Sequence, residues 1–303
     1  MTGITRFRLA AITLVAVASA TSPAWPACPQ VPCDCFGAAL NYAGIGAEGA
    51  QITMGRYGAG SRANGDVCAS TAFVGSKPYN LGADTSTGSL ILLKAIHNAA
   101  ILVGACHVSG DVVTGGGSVL QRGLASVSGT IDTSGTDPRL DSCEQAITDA
   151  ASASAFLAGL TPTRDLGSIR VTGGDILVLN ADPGVNVWTA TDIVVRAPGP
   201  DGITNGVVIS FAPDTDAVIL NVSRVLLSGI GAGIYVGGSS GSEHKLIVNV
   251  PGEGPAVVVK GYGQVEGFLL APQRKVRDTA DMLQIFAGQL HLRGGYVRPI
   301  ACP

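Results

Sequence analysis

Short apolar runs rich in Val, Ile and Leu recur along the chain, each cut off by Gly, Pro, Asn or Asp. They include SLILLKAI (residues 89–96), AAILVGA, DILVLNA, DIVVRA, GVVISFA, AVILNVSRVLLSG, HKLIVNV, AVVVKGY and VEGFLLA. Branched residues in short runs with turn-forming ends predict strands. Several runs are almost continuously apolar, as strands packed into a stack should be. A shorter element recurs between them: a small or polar residue, Gly, a polar residue, then a β-branched one. It reads Asn64-Gly65-Asp66-Val67, Ser109-Gly110-Asp111-Val112, Ser128-Gly129-Thr130-Ile131 and Gly173-Gly174-Asp175-Ile176. The second and third copies lie about one solenoid turn apart, roughly 20 residues. The other gaps are about twice that and would hold an insertion. Stacked coils are therefore predicted, with the Gly-rich hairpins of a β-sandwich as the competing reading.

One segment changes period. DSCEQAITDAASASAFLAGL (141–160) predicts a helix near 141–159. Asp141 suits an N-cap, with Glu144 at capping-box spacing. Ile147, Ala150, Ala151, Ser154, Phe156 and Leu157 approximate one apolar face, and Gly159 is a natural stop. A lone amphipathic helix among strands must dock on an apolar flank.

Composition sharpens this picture. The chain has 303 residues, of which 42 are Gly, with 5% aromatic and 14% charged side chains. Gly without a G-X-Y period excludes collagen and suits many tight turns. A net charge of −3 removes the electrostatic case for nucleic acid. Arg6 and Arg8 precede an apolar stretch (9–20) too short to span a bilayer, and Ala18-Ser19-Ala20 supplies small residues for cleavage. Residues 1–20 are read as a signal peptide, cleaved after Ala20 or alternatively after Ala24 or Ala27. Residues 21–35 form a Cys/Pro-rich segment, and 36–303 a single domain with no transmembrane segment in the mature chain. The Trp and Pro of WPAC argue against lipid attachment at Cys28. Seven cysteines (Cys28, Cys33, Cys35, Cys68, Cys106, Cys143 and Cys302) are candidate disulfide partners in an oxidising compartment, with one thiol left over.

A set of features in order carries a resemblance. The opening FGAALNYAGIG precedes Gly-rich rungs such as SGDVVTGGG, then the helix and LTPTRDLGSIRV. DILVLNA, VWTATDIVV, AVILNVS, VEGFLLAPQRKV and FAGQLHLRGG follow. From about Phe36 to Val297 the chain resembles the bacterial choice-of-anchor A family, and more distantly the ice-binding-like β-solenoids. The resemblance implies a mainly β fold, a right-handed parallel β-helix with one long α-helix packed alongside. It also implies display or adhesion outside the cell, not catalysis. The sequence departs from the family in having no LPxTG-type signal, no C-terminal hydrophobic helix and no Pro-Glu-Pro tail, so a released protein is expected.

Candidate chemistry is sparse. Gln273, Arg274 and Lys275 follow an Ala-Pro that should end a strand, and a basic tip there suits an acidic glycan. A solvated corner, partly balanced by Arg277 and Asp278, is the plainer reading. Asp214 with Asp216, and Asp182 or Asp192, are the available carboxylate clusters. The Asp214–Asp216 stretch reads as a Pro-led turn. Glu243, His244 and Lys245 read as a loop trio. His97, His107, His244 and His291 form no metal-ligand spacing. TSTGS (85–89) and TATD (189–192) are only fragments of the Thr array that ice binding needs. The expectation is an exported monomeric adhesive scaffold with no catalytic, cofactor or metal residues, whose partner is an extracellular polysaccharide or matrix protein. A carbohydrate-active β-helix enzyme and an ice-binding protein are the alternatives.

Overall fold

All strand pairs among the described residues are parallel. A chain achieves this without long crossovers only by coiling, so that each turn returns to the same face. The computed structural model describes residues 35–53, 61–75, 85–197, 205–237, 242–261, 264–278, 281–293 and 296–298. The expected signal peptide and Cys28, Cys33 and Cys302 lie outside them. The protein is a mainly β, parallel β-solenoid with one helix alongside.

Winding begins in the middle of the stack. Gly44–Thr53 pairs on one side with Val67–Ala69 and Ala72–Gly75, and on the other with Asp281–Arg293. From there coils stack outward to Val119–Arg122, Ser126–Val127 and Ile131–Asp132. The helix, Arg139–Ala158, carries the chain back to Arg164–Asp165 and Ser168–Thr172 at the opposite end. The second half then stacks inward. It closes against the first, with Ile45 beside Phe286, Ala50 beside Leu290 and Ile52 beside Leu292.

Each coil contributes to three faces, and aliphatic rows fill the interior. Leu292, Ile52, Val74 and Leu102 form one such row, all buried. Each Val or Leu so buried contributes about 1.5–3 kcal/mol relative to water.

The helix lies on the outside of the first face. Its 20 residues span about 30 Å, the depth of six or seven strands at ~4.8 Å. Its buried side chains are Leu140, Cys143, Ala146, Asp149, Ala150, Ala153, Ser154 and Leu157. The expected apolar face is thus rotated: Ala151 and Phe156 are exposed and Ile147 is only half-buried. Small Ala side chains let the backbone approach the sheet closely, and that closeness selects the face. The start also moves. Asp141 is in the first turn, not the cap; Pro138 holds the cap position and Asp137 Oδ1 accepts the Arg139 N–H at 2.8 Å.

Beneath the helix runs the row Asn221, Asn249, Leu270, Phe286, Ile45, Cys68, Ile91 and Val113. Three of these contacts fix the helix. Cys68 is bonded to Cys143, closing a loop of 75 residues, a constraint worth about 4 kcal/mol on the unfolded chain. Asn221 Nδ2 donates to Leu157 O at 2.9 Å, and Asn249 Nδ2 donates to Ser154 O at 3.0 Å. Ser154 Oγ returns a bond to Asn249 Oδ1 at 2.6 Å. Asn221 and Asn249 are therefore buried structural residues. Cys35 is also disulfide-bonded, while Cys106 is free and buried.

The Gly-containing element marks one corner of the coils and repeats more regularly than expected. Thr87-Gly88-Ser89-Leu90 is a further copy, so the long gap before Ser109 holds a coil, not an insertion. Asp66 Oδ1 accepts Ser89 N–H at 2.7 Å, and Ser89 Oγ accepts Asp111 N–H at 3.3 Å. Asp111 Oδ1 in turn accepts Thr130 N–H at 2.7 Å. Arg139 Nη1 donates to Asp111 Oδ2 at 2.7 Å, pinning the helix start to this ladder.

Another corner answers the Ala-Pro question. The strand Gln264–Asp278 does not end at Pro272; its pairing with Asp281–Arg293 shifts between Ala271 and Lys275 and resumes. Pro272, lacking an N–H, occupies the bulge where no ladder bond is needed. Arg274 turns inward there and is buried. It donates to the carbonyls of Gly252, of Pro255 at 3.1 Å and of Pro251 at 3.1 Å. A Cβ on Gly254 would strike its guanidinium.

Two outcomes are expected. Arg274→Met leaves three loop carbonyls without a buried donor and lowers stability by about 3 kcal/mol. Thermal unfolding should fall by roughly 5–10 °C, with Arg274→Lys restoring only part, because an ammonium lacks the planar fork. The Thr130 N–H first, then Arg139 and the Thr130 hydroxyl, hold the Asp111 carboxyl down at about 2. Because the folded value is depressed, its stabilisation is present above the unfolded value of ~3.9 and lost as pH falls toward the folded one. Asp111→Asn should therefore be less stable than the parent at pH 6, the gap closing between about pH 4 and pH 2 in denaturant titrations.

Candidate functional site

The helix covers the first face. The second face is a continuous parallel sheet from Ser168–Thr172 at one end to Val119–Arg122 at the other. Alternation along each strand sends one side chain into the core and the next out, so the outward residues form rows along the stack.

One outward row starts as Arg170, Val194, Leu226 and Val258, passes Arg277 and His291 at the centre, and ends as Gln51, Phe73, Ile101 and Leu120. The parallel row two residues along carries Thr172, Arg196, Ser228 and Lys260, then Arg293 and Thr53. Arg196, Lys260, Arg277 and Arg293 are exposed, and Lys275 and His291 are half-buried.

The centre of this face is cationic. Lys275, Arg277, His291 and Arg293 sit on two adjacent strands, Lys275 and Arg277 two residues apart and Arg277 directly beside His291. Burial first, then Lys275, Arg277 and Arg293, push the His291 imidazole down to about 4, so it is neutral at pH 7. Among the described residues, no carboxylate lies within ion-pairing distance of Lys260, Lys275, Arg277 or Arg293. Arg170 is the exception on this face, paired with Asp192 at 2.8 Å. Glu48, at the neighbouring corner, is held by Gln289 at 2.7 Å.

The expected patch is thereby redistributed. Gln273 is exposed at the bulge, Arg274 is turned into the corner, and Lys275 alone joins the face. Its partners come from across the ladder, and the signal for them was the alternation of K-V-R (275–277) and H-L-R (291–293). In each, an apolar residue alternates with outward basic ones.

The other candidate residues do not assemble. Asp192 is buried against Arg170, at the far end of Gly184–Ala190 from the exposed Asp182. Asp214 and Asp216 are exposed at the start of Thr215–Val222. Asp182 and Asp214 share a corner through Thr215 Oγ1, which donates to Asp182 O at 3.1 Å, and through Gly184 N–H, which donates to Asp214 O at 2.7 Å. Glu243, His244 and Lys245 form a short 3-10 turn, Ser242–Lys245, with Lys245 Nζ on Thr215 O at 2.9 Å. Burial lowers the His244 pKa. His97 meets Ser118 at 3.2 Å and His107 meets Ser126 at 2.9 Å. Thr87 is buried and Thr189 bonds Asp165 at 3.2 Å, so neither Thr fragment builds an outward file. Among the described residues no three His, Cys, Asp or Glu side chains gather to hold a metal ion.

Comparison with known proteins follows this geometry. The ice-binding protein of the Antarctic ascomycete Antarctomyces psychrotrophicus is 13% identical, over 88% of this chain and 98% of that one, with a TM-score of 0.49. An ice-binding protein from an Arctic yeast is 17% identical over 88% and 94%, TM-score 0.49. One from an Antarctic biological consortium is 13% identical over 87% and 89%, TM-score 0.44. No curated protein matches by sequence. A family described as "Putative Ice-binding-like adhesive domain" matches residues 45–297. That match runs from the first coil to the last, through both halves and the helix between them, and the chain belongs to this ice-binding-like adhesive domain family.

Proposed function

We propose that this protein is an exported, monomeric, non-catalytic adhesive solenoid that holds an extracellular polysaccharide or matrix protein on its second face. The observation that carries the reading is that face: a long sheet, uncovered by the helix, whose outward rows hold Lys260, Lys275, Arg277 and Arg293 with no ion pair among the described side chains, in line with half-buried Phe73, Ile101 and Leu120. A rigid sheet presents such side chains at fixed spacing with little ordering cost on binding. Several further features support the reading. The leader expected in residues 1–20 fits export, and the Cys68–Cys143 bond suits an oxidising compartment. The family's description names adhesion. The resemblance to choice-of-anchor A domains supports display at or release from a cell surface.

Arg, His, Leu and Phe occupy outward positions where ice recognition would call for a repeated small-residue or Thr file. The carboxylates sit apart or on exposed corners, which favours adhesion over glycoside cleavage.

The test applies purified full chain to immobilised acidic and neutral glycans, matrix proteins and whole cells. Thermal hysteresis and reducing-sugar release are measured alongside. Saturable binding to at least one surface is expected, with neither hysteresis nor sugar release. Hysteresis without binding would replace this reading with ice binding, and sugar release would replace it with catalysis.

A further inference from the structure

The cations of the second face are not scattered. Along the row two residues beyond Val194 and Leu226 stand Arg196, Ser228 and Lys260. Val259 and Leu292 share one register position two strands apart, so Lys260 and Arg293, each the next residue along its strand, stand level. Arg196, Lys260 and Arg293 thus stand on every second strand, separated by a small residue or a single intervening strand. With strands ~4.8 Å apart, the charges repeat about every 10 Å along the solenoid axis. All three are exposed. Beside the last of them lie Lys275 and Arg277, which widen the positive field to two adjacent strands, with the neutral His291 next to Arg277.

A repeat of this length selects among anions. A pyranose advances an extended glycan by close to one strand spacing, so a chain with an acid on every second sugar presents its charges in step with the row. A sheet face offers no groove to enclose a base, and among the described side chains no exposed aromatic stands in this row. Hydroxyls of the intervening sugars would meet Ser228.

From this register we infer that the Arg196–Lys260–Arg293 row is a binding track for a linear acidic polysaccharide with one carboxylate or sulfate per disaccharide. The glycan lies along the solenoid axis, and Lys275 and Arg277 flank the track where the field is strongest. The inference rests on the adhesive reading and narrows it to a ligand class.

The test measures binding of the full chain to hyaluronate oligosaccharides of two to ten sugars. Dextran, double-stranded DNA and phosphatidylglycerol vesicles are the comparison probes. Affinity should rise stepwise as each disaccharide engages another cation, and level off once all three are met. It should also weaken as salt screens the contacts. Each of Arg196→Gln, Lys260→Gln and Arg293→Gln should cost about three- to fivefold, while Lys94→Gln, on a turn away from this face, should cost nothing. Circular dichroism confirms that each variant is folded. If the variants bind hyaluronate as the parent does, or dextran binds equally well, the track is wrong. Retained binding to cells or matrix would then leave the adhesive reading standing. Preference for DNA or vesicles over hyaluronate would overturn the ligand class. Loss of every kind of adhesion would overturn both.

Discussion

The structure depends on a seam. Gly44–Thr53 and Asp281–Arg293 pair in parallel at the middle of the stack, joining two halves wound separately. On the outside of the seam, Phe36 packs on Phe268 at 4.8 Å and Phe286 at 5.6 Å. The buried Gln284 donates to the carbonyls of Ala39, Leu40 and Tyr42. Asp149 of the helix accepts the Ala38 N–H at 2.8 Å. One short segment is thus held by the first half, the second half and the helix together. A buried amide N–H is costly to leave unpaired, so these bonds also fix which strand of the second half meets which strand of the first.

The helix is the other half of that constraint. A chain that starts winding in the middle and proceeds to one end must be returned to the far end before it can wind back. Only an element with its own internal hydrogen bonds can travel along a sheet face without breaking the ladder. The helix spans six or seven strands of that path, the segments flanking it cover the rest, and its Ala-rich side keeps it near the sheet. Covering one face in this way leaves the second uncovered by the helix. That face is therefore a by-product of the topology, and its chemistry is free to vary because its outward side chains carry little of the packing.

Much of this was legible in the sequence. Short aliphatic runs and the repeated Gly-polar-branched corner predicted stacked coils, because those features report backbone conformation directly. The helix was legible by period, but its buried side was misassigned. Ala150, Ser154 and Leu157 are buried as the pattern indicates, but it also gave weight to Ile147, Ala151 and Phe156, whereas close approach to the sheet selected Ala146 and Ala153. Arg274 shows why the site was harder. Composition marks it as an exposed cation, and only the fold reveals three carbonyls waiting at a corner. Conversely, Lys275 and Arg293 are neighbours through a ladder between strands, and ladder register is invisible until the coils are aligned. The central start of the winding was not readable at all, since nothing local distinguishes a first coil in the middle from one at an end.

That central start has a consequence for biosynthesis. Glu48 and its partner Gln289 are 241 residues apart, so the edge of the first coil has no native neighbour until nearly the whole chain has been made. At ~5–20 residues per second on the ribosome, the wait is on the order of tens of seconds. A parallel sheet edge left bare that long is a template for another nascent chain. Crowded polysomes are thus the setting this topology tolerates worst, and a holdase that masks the edge until the last coil emerges is what it most needs.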